Sequence, residues 1–180
     1  GTIAFGDRAL GVAEPKYLNS PETPIYVKGE HLYGLDLARE AIRREGLAVV
    51  VEGYMDLAAA VQAGTEAVVA TLGTAFTPGQ ARLLARFTQR VVMSYDGDRA
   101  GIQAAARSLD VLLARGFEVR ILELPGGLDP DDFIRREGAE AYTQRLQQAP
   151  SWLESLLERE RRSRDLTRVE ERVAGINALL

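Results

Sequence analysis

With 180 residues, 46% of them hydrophobic, and a formal net charge of −4 at pH 7, the chain has the composition of one packed domain with a small appendage. It contains no cysteine and a single histidine, His31, which excludes disulfides and thiolate zinc sites and makes imidazole metal sites hard to build. Because no apolar stretch approaches the roughly 20 residues of a membrane span and no signal peptide is visible, we expect a cytoplasmic protein without membrane contact.

Residues 1–45 predict the end of an α+β subdomain that packs beside the next unit. The segment contains several prolines and polar turns, and its short strand candidates lie at 2–5 and 8–12. A helix is predicted over 33–45. The first residue is not methionine and the last residues, 178–180, are apolar, so we expect the sequence to be a piece of a longer protein.

Residues 46–128 alternate between strand-like and helix-like segments. Short apolar runs separated by helical patterns are typical of βαβ units and a mainly parallel sheet. We therefore predict an α/β domain with a four-stranded, mainly parallel sheet flanked by helices. The strands are predicted at 47–51, 67–71, 90–94 and 118–122, and the helices at about 55–63, 78–88 and 100–114.

Residues 129–180 predict an acidic loop followed by a helical segment. Helical patterns cover 130–137 and 139–148, and Pro150 begins a further charged helix. We expect this part to be the start of a separate helical subdomain.

A carboxylate follows the first predicted strand of the sheet. Glu52 comes directly after a run of valines, and Asp56 lies in the first turn of the next predicted helix. Ligands collect at the carboxyl ends of parallel strands, and carboxylate oxygens suit Mg²⁺. A Glu before a helix also interacts favourably with the helix dipole without any metal, so both interpretations of Glu52 stay open. Asp56 could bind a metal through water, contact the loop or cap the helix.

A second acid cluster follows the third predicted strand of the sheet. Asp96 and Asp98 are separated by one glycine, so in an extended conformation both side chains point to the same side. Two close carboxylates repel each other, and a cation is the usual way to keep both ionised. The alternative is an Asp-Gly turn with Asp98 as a helix cap. The position after a buried strand favours a metal site.

A third acid cluster lies just beyond the fourth predicted strand. Asp129 and Asp131 flank Pro130 and could hold a second ion, as in two-metal phosphoryl transfer. The same residues also form an ordinary helix start, with Asp129 as the cap and Pro130 at the first helical position. The sequence does not separate these two interpretations.

Basic and polar side chains in the first 45 residues could form a nucleic-acid surface. Lys and Arg neutralise phosphate charge, and Lys occurs only at positions 16 and 28. On composition alone, solvated lysines are the simpler interpretation. The candidate residues are Arg8, Lys16, Tyr17, Asn19 and Lys28.

Several of these motifs resemble those of a known family. Glu52-Gly-Tyr-Met-Asp56, Leu72-Gly-Thr74, Tyr95-Asp-Gly-Asp-Arg-Ala-Gly101 and Asp129-Pro-Asp131 occur in the order and spacing of the Toprim fold. The run from Pro15 to Thr23 and the segment from Lys28 to Gly34 are similar to the region before Toprim in DnaG-type bacterial primases. The resemblance covers nearly the whole chain.

The resemblance implies a Mg²⁺-dependent nucleotidyltransferase, with Mn²⁺ as an alternative ion, that joins NTPs into short RNA primers on single-stranded DNA. By motif, Glu52, Asp96 and Asp98 would be the catalytic metal ligands, with Asp56, Asp129 and Asp131 as supporting ligands. Arg8, Lys16, Tyr17, Asn19 and Lys28 would contact template and primer. The expected location is the replication fork in the nucleoid.

The family also implies parts that this sequence lacks. Zinc would bind only in a further domain, and the replicative helicase would bind through a C-terminal domain, so we expect weak or no primer synthesis from this chain alone. Glu30-His31 stands where the family is expected to have a more basic pair, which lowers the positive charge of the predicted nucleic-acid surface.

Two alternative functions stay open. One is another Toprim enzyme, a metal-dependent nuclease or a topoisomerase-like enzyme, in which Glu52 would act as general acid/base. A topoisomerase also needs a nucleophilic Tyr, and Tyr54 and Tyr95, lying within the acid motifs, are poorly placed for that role. The other is an interaction module that keeps only the fold.

Overall fold

The computed structural model describes residues 2–8, 17–72, 75–95 and 99–163. The strands are β1 (Gly6–Arg8), β2 (Tyr17–Asn19), β3 (Ala48–Val51), β4 (Val68–Ala70), β5 (Arg90–Met93) and β6 (Glu118–Ile121). The helices are α1 (Leu35–Glu45), α2 (Tyr54–Gln62), α3 (Pro78–Leu84), α4 (Arg99–Leu113), α5 (Pro130–Glu137), α6 (Ala139–Gln148) and α7 (Trp152–Ser163). Short 3₁₀ turns lie at Lys28–Glu30 and Pro125–Gly127.

A four-stranded parallel sheet forms the centre of the fold. Its strand order is β4-β3-β5-β6, and every neighbouring pair is parallel. The strand β3 is buried along its whole length, which is why it reads as an uninterrupted apolar run in the sequence. The strands β1 and β2 form a separate antiparallel pair.

Helices cover both faces of the sheet, because successive strand side chains point to opposite sides. On one face, Val50 of β3 packs with buried residues of α1, α3 and α4, such as Ile42, Leu84 and Leu112. On the other face, Val49 and Val51 pack with residues of α2, α5 and α6. The strands β3, β4 and β5 are thereby held between two apolar layers.

The predicted parallel sheet and its flanking helices are confirmed, with three local corrections. Residues 2–5 are not a strand; the strand begins at Gly6, where the ladder with Asn19 starts. The second predicted strand, 8–12, is described only at Arg8, which belongs to β1. The helix predicted over 78–88 ends at Leu84, since the chain then turns and the Thr88 hydroxyl donates to the Gly46 carbonyl at 2.7 Å.

The described helices give no candidate for a membrane span: none combines the length with the apolar character that a crossing requires. The division of the chain into 1–45, 46–128 and 129–180 stays a prediction. In space, α1 packs on the same face of the sheet as α3, and α5 packs against α2.

Candidate active site

The strand order places a crevice at the carboxyl ends of β3 and β5. From β3 the chain crosses to β4 on one side, and the next strand, β5, lies on the other side of β3. Ligands of open α/β sheets bind where the direction of strand succession reverses in this way. The ladder between β3 and β5 ends with the pair Val50 and Met93, two residues before Glu52 and Tyr95, and the Glu52 carboxylate lies near enough to Tyr95 to raise its pKa. Glu52 and the start of the Asp96 motif therefore lie at the same edge of the sheet.

The loop after β3 is held by the loop after β4. The Glu52 carbonyl accepts a hydrogen bond from the Leu72 N–H at 3.0 Å. Leu72 adopts a φ of 62°, the left-handed region, which costs a non-glycine residue about 1–3 kcal/mol. The surrounding structure must offset this strain, so the conformation of the β4 loop is specifically determined. The Gly73-Thr74 part of the motif lies outside the described residues.

Asp56 shapes the turn that carries Glu52. It is buried at 5% exposure, and its Oδ2 accepts the Gly53 N–H at 3.0 Å. This contact satisfies a donor at the start of α2 and fixes the glycine next to Glu52. The hydrogen bond to Gly53 is the loop contact that was one of the predicted roles of Asp56. A metal role for Asp56 stays a prediction.

Tyr95 anchors the end of β5 on one face of the sheet. Its hydroxyl lies 3.3 Å from Ser108 Oγ of α4. Ser108 Oγ in turn accepts the Phe76 N–H at 2.8 Å. Burial raises the pKa of Tyr95 to about 12, although hydrogen bonding of its side chain lowers the pKa. The charge of the nearby Glu52 carboxylate also raises it. Tyr95 is therefore a neutral phenol at physiological pH.

Ser94 anchors the same strand end on the opposite face. The Tyr142 hydroxyl of α6 donates to Ser94 Oγ at 3.1 Å, and both residues are fully buried. Burial raises the pKa of Tyr142 to about 12, and the charge of Asp56 acts in the same direction. Consecutive side chains on either face thus fix the position from which the Asp96 motif continues.

The two tyrosines of the acid motifs have structural partners. Tyr95 is buried and bonded to Ser108, and a pKa of about 12 opposes formation of a phenolate. The Tyr54 hydroxyl donates to Asn19 Oδ1, and the Tyr54 ring meets Tyr33 edge-on with centroids 5.0 Å apart. This placement argues against either as the nucleophile of a strand-cleaving topoisomerase.

The third acid cluster forms helix contacts. Asp129 Oδ1 accepts the Asp132 N–H at 2.7 Å and caps α5, with Pro130 at the first helical position. Asp131 is 7% exposed at its side chain, and its Oδ1 lies 2.9 Å from Arg135 Nε. Asp129 thus makes the cap contact of the helix-start interpretation, while the metal roles of Asp129 and Asp131 stay predictions.

The metal prediction depends on residues that the structure describes only in part. Asp96 and Asp98 lie outside the described residues. Within the described ranges, no three acidic, His or Cys side chains are grouped closely enough to hold a metal ion, so the remaining acid candidates do not form such a group among themselves. The donor chemistry of the sequence, the Glu52 carboxylate together with the carboxylates of the Asp-Gly-Asp motif, nevertheless suits a hard divalent cation.

The β1–β2 pair is docked on the motif that carries Glu52. Asn19 of β2 accepts the Tyr54 hydrogen bond, and a side chain at Gly6 of β1 would collide with the Tyr54 hydroxyl. Arg8 pairs with Tyr17 across the two strands. Lys16 lies outside the described residues. Of the predicted nucleic-acid residues, Arg8, Tyr17 and Asn19 therefore lie on two strands that contact the Glu52 motif through Tyr54.

Lys28 lies on a separate loop that is attached to α3. The Lys28 N–H donates to Glu22 Oε1 at 3.0 Å, and the Lys28 carbonyl accepts from Gln80 Nε2 at 3.2 Å. Sequence reasoning missed Gln80, although Thr77-Pro-Gly-Gln80 matches the pattern of a capping box, which the structure shows. It also missed Ser108 and Tyr142, because nothing in the sequence marks which buried hydroxyls will meet across elements.

Comparison with known proteins agrees with this geometry. A Toprim-like family model matches residues 49–134, and the model of the DNA primase catalytic core, N-terminal domain, matches residues 1–39. The chain belongs to the DNA primase family. It is 51% identical over 140 residues to a DNA primase of Halalkalibacterium halodurans, a match that covers 78% of this chain and 23% of that relative.

Solved DNA primase structures share the fold. The zinc-binding and RNA polymerase domains of the Aquifex aeolicus primase superpose with a TM-score of 0.83 at 40% identity, covering 98% of this chain and 43% of that chain. A DnaG primase catalytic domain bound to single-stranded DNA gives a TM-score of 0.80 at 42% identity, with coverages of 97% and 57%. The chain spans about a quarter of the length of the curated primases it matches.

Proposed function

We propose that this chain is the metal-binding part of a primase catalytic core that synthesises RNA primers on a single-stranded DNA template. The observation that carries the proposal is the adjacency of β3 and β5, which brings Glu52 and Tyr95 to the same carboxyl edge of the sheet. Acidic side chains from two strands can bind one ion only if the carboxyl ends of those strands are neighbours, as they are here. The primase family supplies the reaction class.

In the proposed reaction, the 3′-hydroxyl of the primer attacks the α-phosphate of an NTP, and pyrophosphate leaves. Mg²⁺ bound at this edge would neutralise phosphate charge as it develops in the transition state. We assign its ligands to Glu52, Asp96 and Asp98, with Asp56, Asp129 and Asp131 as supporting acids. Mn²⁺ could replace Mg²⁺, because both accept oxygen ligands.

The buried hydroxyl contacts support this role by fixing the two strand ends. Tyr95 is bonded to Ser108 on one face, and Ser94 is bonded to Tyr142 on the other. Metal ligands must keep their separation within a few tenths of an ångström, so a rigid platform under the acid motifs is what such a site requires.

A template strand would run past the residues that precede the sheet. The solved primase bound to single-stranded DNA is similar to 97% of this chain. By analogy we assign strand contacts to Arg8, Lys16, Tyr17, Asn19 and Lys28. Asn19 would donate through its Nδ2, because its Oδ1 already accepts from the Tyr54 hydroxyl.

Primer synthesis by the intact protein tests the proposal. Glu52→Gln and Asp96→Asn should each lower template-directed RNA synthesis by about 10²-fold or more, because each removes charge at the developing transition state. Glu66→Gln is the matched control; Glu66 precedes β4 at the opposite edge of the sheet and pairs with Arg44 at 2.8 Å.

Two results would contradict the assignment. Full primer synthesis by either acid variant would remove that residue from the site. Metal-dependent cleavage of DNA by the wild-type protein, without RNA synthesis and sensitive to the same substitutions, would favour the nuclease alternative.

A further inference from the structure

The side-chain amide of Gln80 uses both of its ends in contacts with the backbone. Gln80 is fully buried on α3. Its Nε2 donates to the carbonyls of Lys28 at 3.2 Å and His31 at 2.9 Å, and its Oε1 accepts the Thr77 N–H at 3.0 Å. Removing a partner from buried polar groups costs about 1–3 kcal/mol, so this arrangement strongly favours one position of the loop it holds.

The loop in question, residues 28–31, is here called the Lys28 loop, and two further residues of α3 and its cap fit it closely. The Thr77 hydroxyl donates to the Gly29 carbonyl. At Gly79, an added Cβ would lie 2.5 Å from the same carbonyl oxygen, so only glycine allows this approach. The Lys28 loop is thus fixed against α3 by the hydrogen bonds of Gln80 and Thr77, and Gly79 leaves room for its close approach.

The same segment is connected to the carboxyl edge of the sheet. Phe76, the residue before Thr77, donates its N–H to Ser108 Oγ, which lies 3.3 Å from the Tyr95 hydroxyl. Buried hydrogen bonds therefore connect the Lys28 loop with the end of β5, directly before Asp96. The loop has a defined position relative to the crevice, although it is distant from the sheet in sequence.

We propose that Gln80 is a positioning residue that holds Lys28 where its ammonium group binds a phosphate beside the carboxylate crevice. The inference rests on the proposed function, since it assumes that Lys28 serves a nucleic-acid or nucleotide ligand. A phosphate can come from two sources, a strand phosphodiester or the triphosphate of an NTP. Lys28 itself is half-buried, so its backbone position restricts where the ammonium group can reach.

A double-mutant cycle in the intact protein tests this inference. The variants are Gln80→Met, which keeps length and volume but removes the amide, Lys28→Ala and the double variant. Each is measured for dT-oligonucleotide affinity at several salt concentrations and for the KM and kcat of NTPs. Thr77→Val, with and without Lys28→Ala, gives a second test if Gln80→Met folds poorly. Gln144→Met, on the exposed part of α6, is the control.

If Gln80 acts through Lys28, both single variants should weaken phosphate binding, and the double variant should bind no more weakly than Lys28→Ala alone. Independent residues give additive effects, whereas two residues that serve one interaction do not. A salt slope that is smaller by about 1 would identify a strand phosphate. A raised KM for NTPs at unchanged kcat, with an unchanged salt slope, would identify the triphosphate.

Two outcomes would overturn the inference. If Gln80→Met weakens binding by the same factor with and without Lys28, then Gln80 has only a structural role. If Lys28→Ala changes neither the salt slope nor KM, then Lys28 binds no phosphate; primer synthesis that still depends on Glu52 would leave the proposed function intact.

Discussion

At the end of β5, two consecutive residues are hydrogen-bonded to helices on opposite faces of the sheet. Ser94 meets the Tyr142 hydroxyl, and Tyr95 meets Ser108. Hydroxyl pairs of this kind contribute about 1 kcal/mol each to stability when buried. Their larger effect is positional, because they leave the strand end little freedom to shift relative to Glu52.

These tyrosines predict a loss of stability at alkaline pH. Their pKa values are raised to about 12 in the folded protein, against about 10 in an unfolded chain. The unfolded state therefore releases protons first, and the free energy of unfolding should fall between pH 10 and 12, by up to about 1.4 kcal/mol per pH unit for each tyrosine. Below pH 10 their contribution is fully present.

Urea denaturation from pH 9 to 11.5 measures this effect. Tyr95→Phe and Tyr142→Phe should each flatten the decline, and the double variant should flatten it further. Parallel pH profiles for wild type and both variants would show that these phenols titrate normally and are not buried as described.

At the scale of elements, α3 is notable for how closely the Lys28 loop approaches it. Gly79 lies in the first turn of α3, where alanine ordinarily stabilises a helix by about 0.5–1 kcal/mol over glycine. Here the Cβ would meet the Gly29 carbonyl oxygen at 2.5 Å. Gly79→Ala should therefore destabilise the protein by about 1–3 kcal/mol, as overpacking does.

Chemical denaturation of Gly79→Ala checks the sign of this effect. Arg82→Ala, on the exposed side of the same helix, is the control for a change of sequence in α3 and should alter stability by less than about 0.5 kcal/mol. A stabilised Gly79→Ala variant would show that the loop does not approach α3 as closely as described.

The elements that the sequence predicts best are those whose signal is local. The four parallel strands are predictable because buried strands read as apolar runs, and β3 is the clearest case. The short strands β1 and β2 are predicted poorly, since their position depends on pairing between Gly6 and Asn19 rather than on a periodic pattern. The early end of α3 depends on Thr88 reaching the distant Gly46 carbonyl.

The site divides in the same way. Motif spacing and the position directly after a buried strand are enough to indicate Glu52 from the sequence. The contacts that fix its surroundings are not predictable, because Tyr142 and Ser94 are 48 positions apart and Gln80 and Lys28 are 52 apart. Such partners meet only through the topology of the sheet and the helices on its faces.

At the scale of the whole molecule, the net charge of −4 says little about nucleic-acid binding. Binding depends on where the basic side chains lie, and the Lys28 loop is fixed against α3. Lys16→Ala and Lys28→Ala should each weaken single-stranded DNA binding across all sequences and lower the salt slope by about 1. Affinity titrations at several salt concentrations measure this, and an unchanged slope would count against a contact with a strand phosphate.

The central claim is that the ends of β3 and β5 share one metal ion that serves a nucleotide. The most direct measurement is calorimetric titration of Mg²⁺ and Mn²⁺, with and without NTP, for wild type, Glu52→Gln, Asp96→Asn and the control Glu66→Gln. The account predicts metal binding that NTP strengthens, that both site variants lose and that the control retains. Metal binding that is indifferent to the nucleotide and survives both substitutions would contradict it.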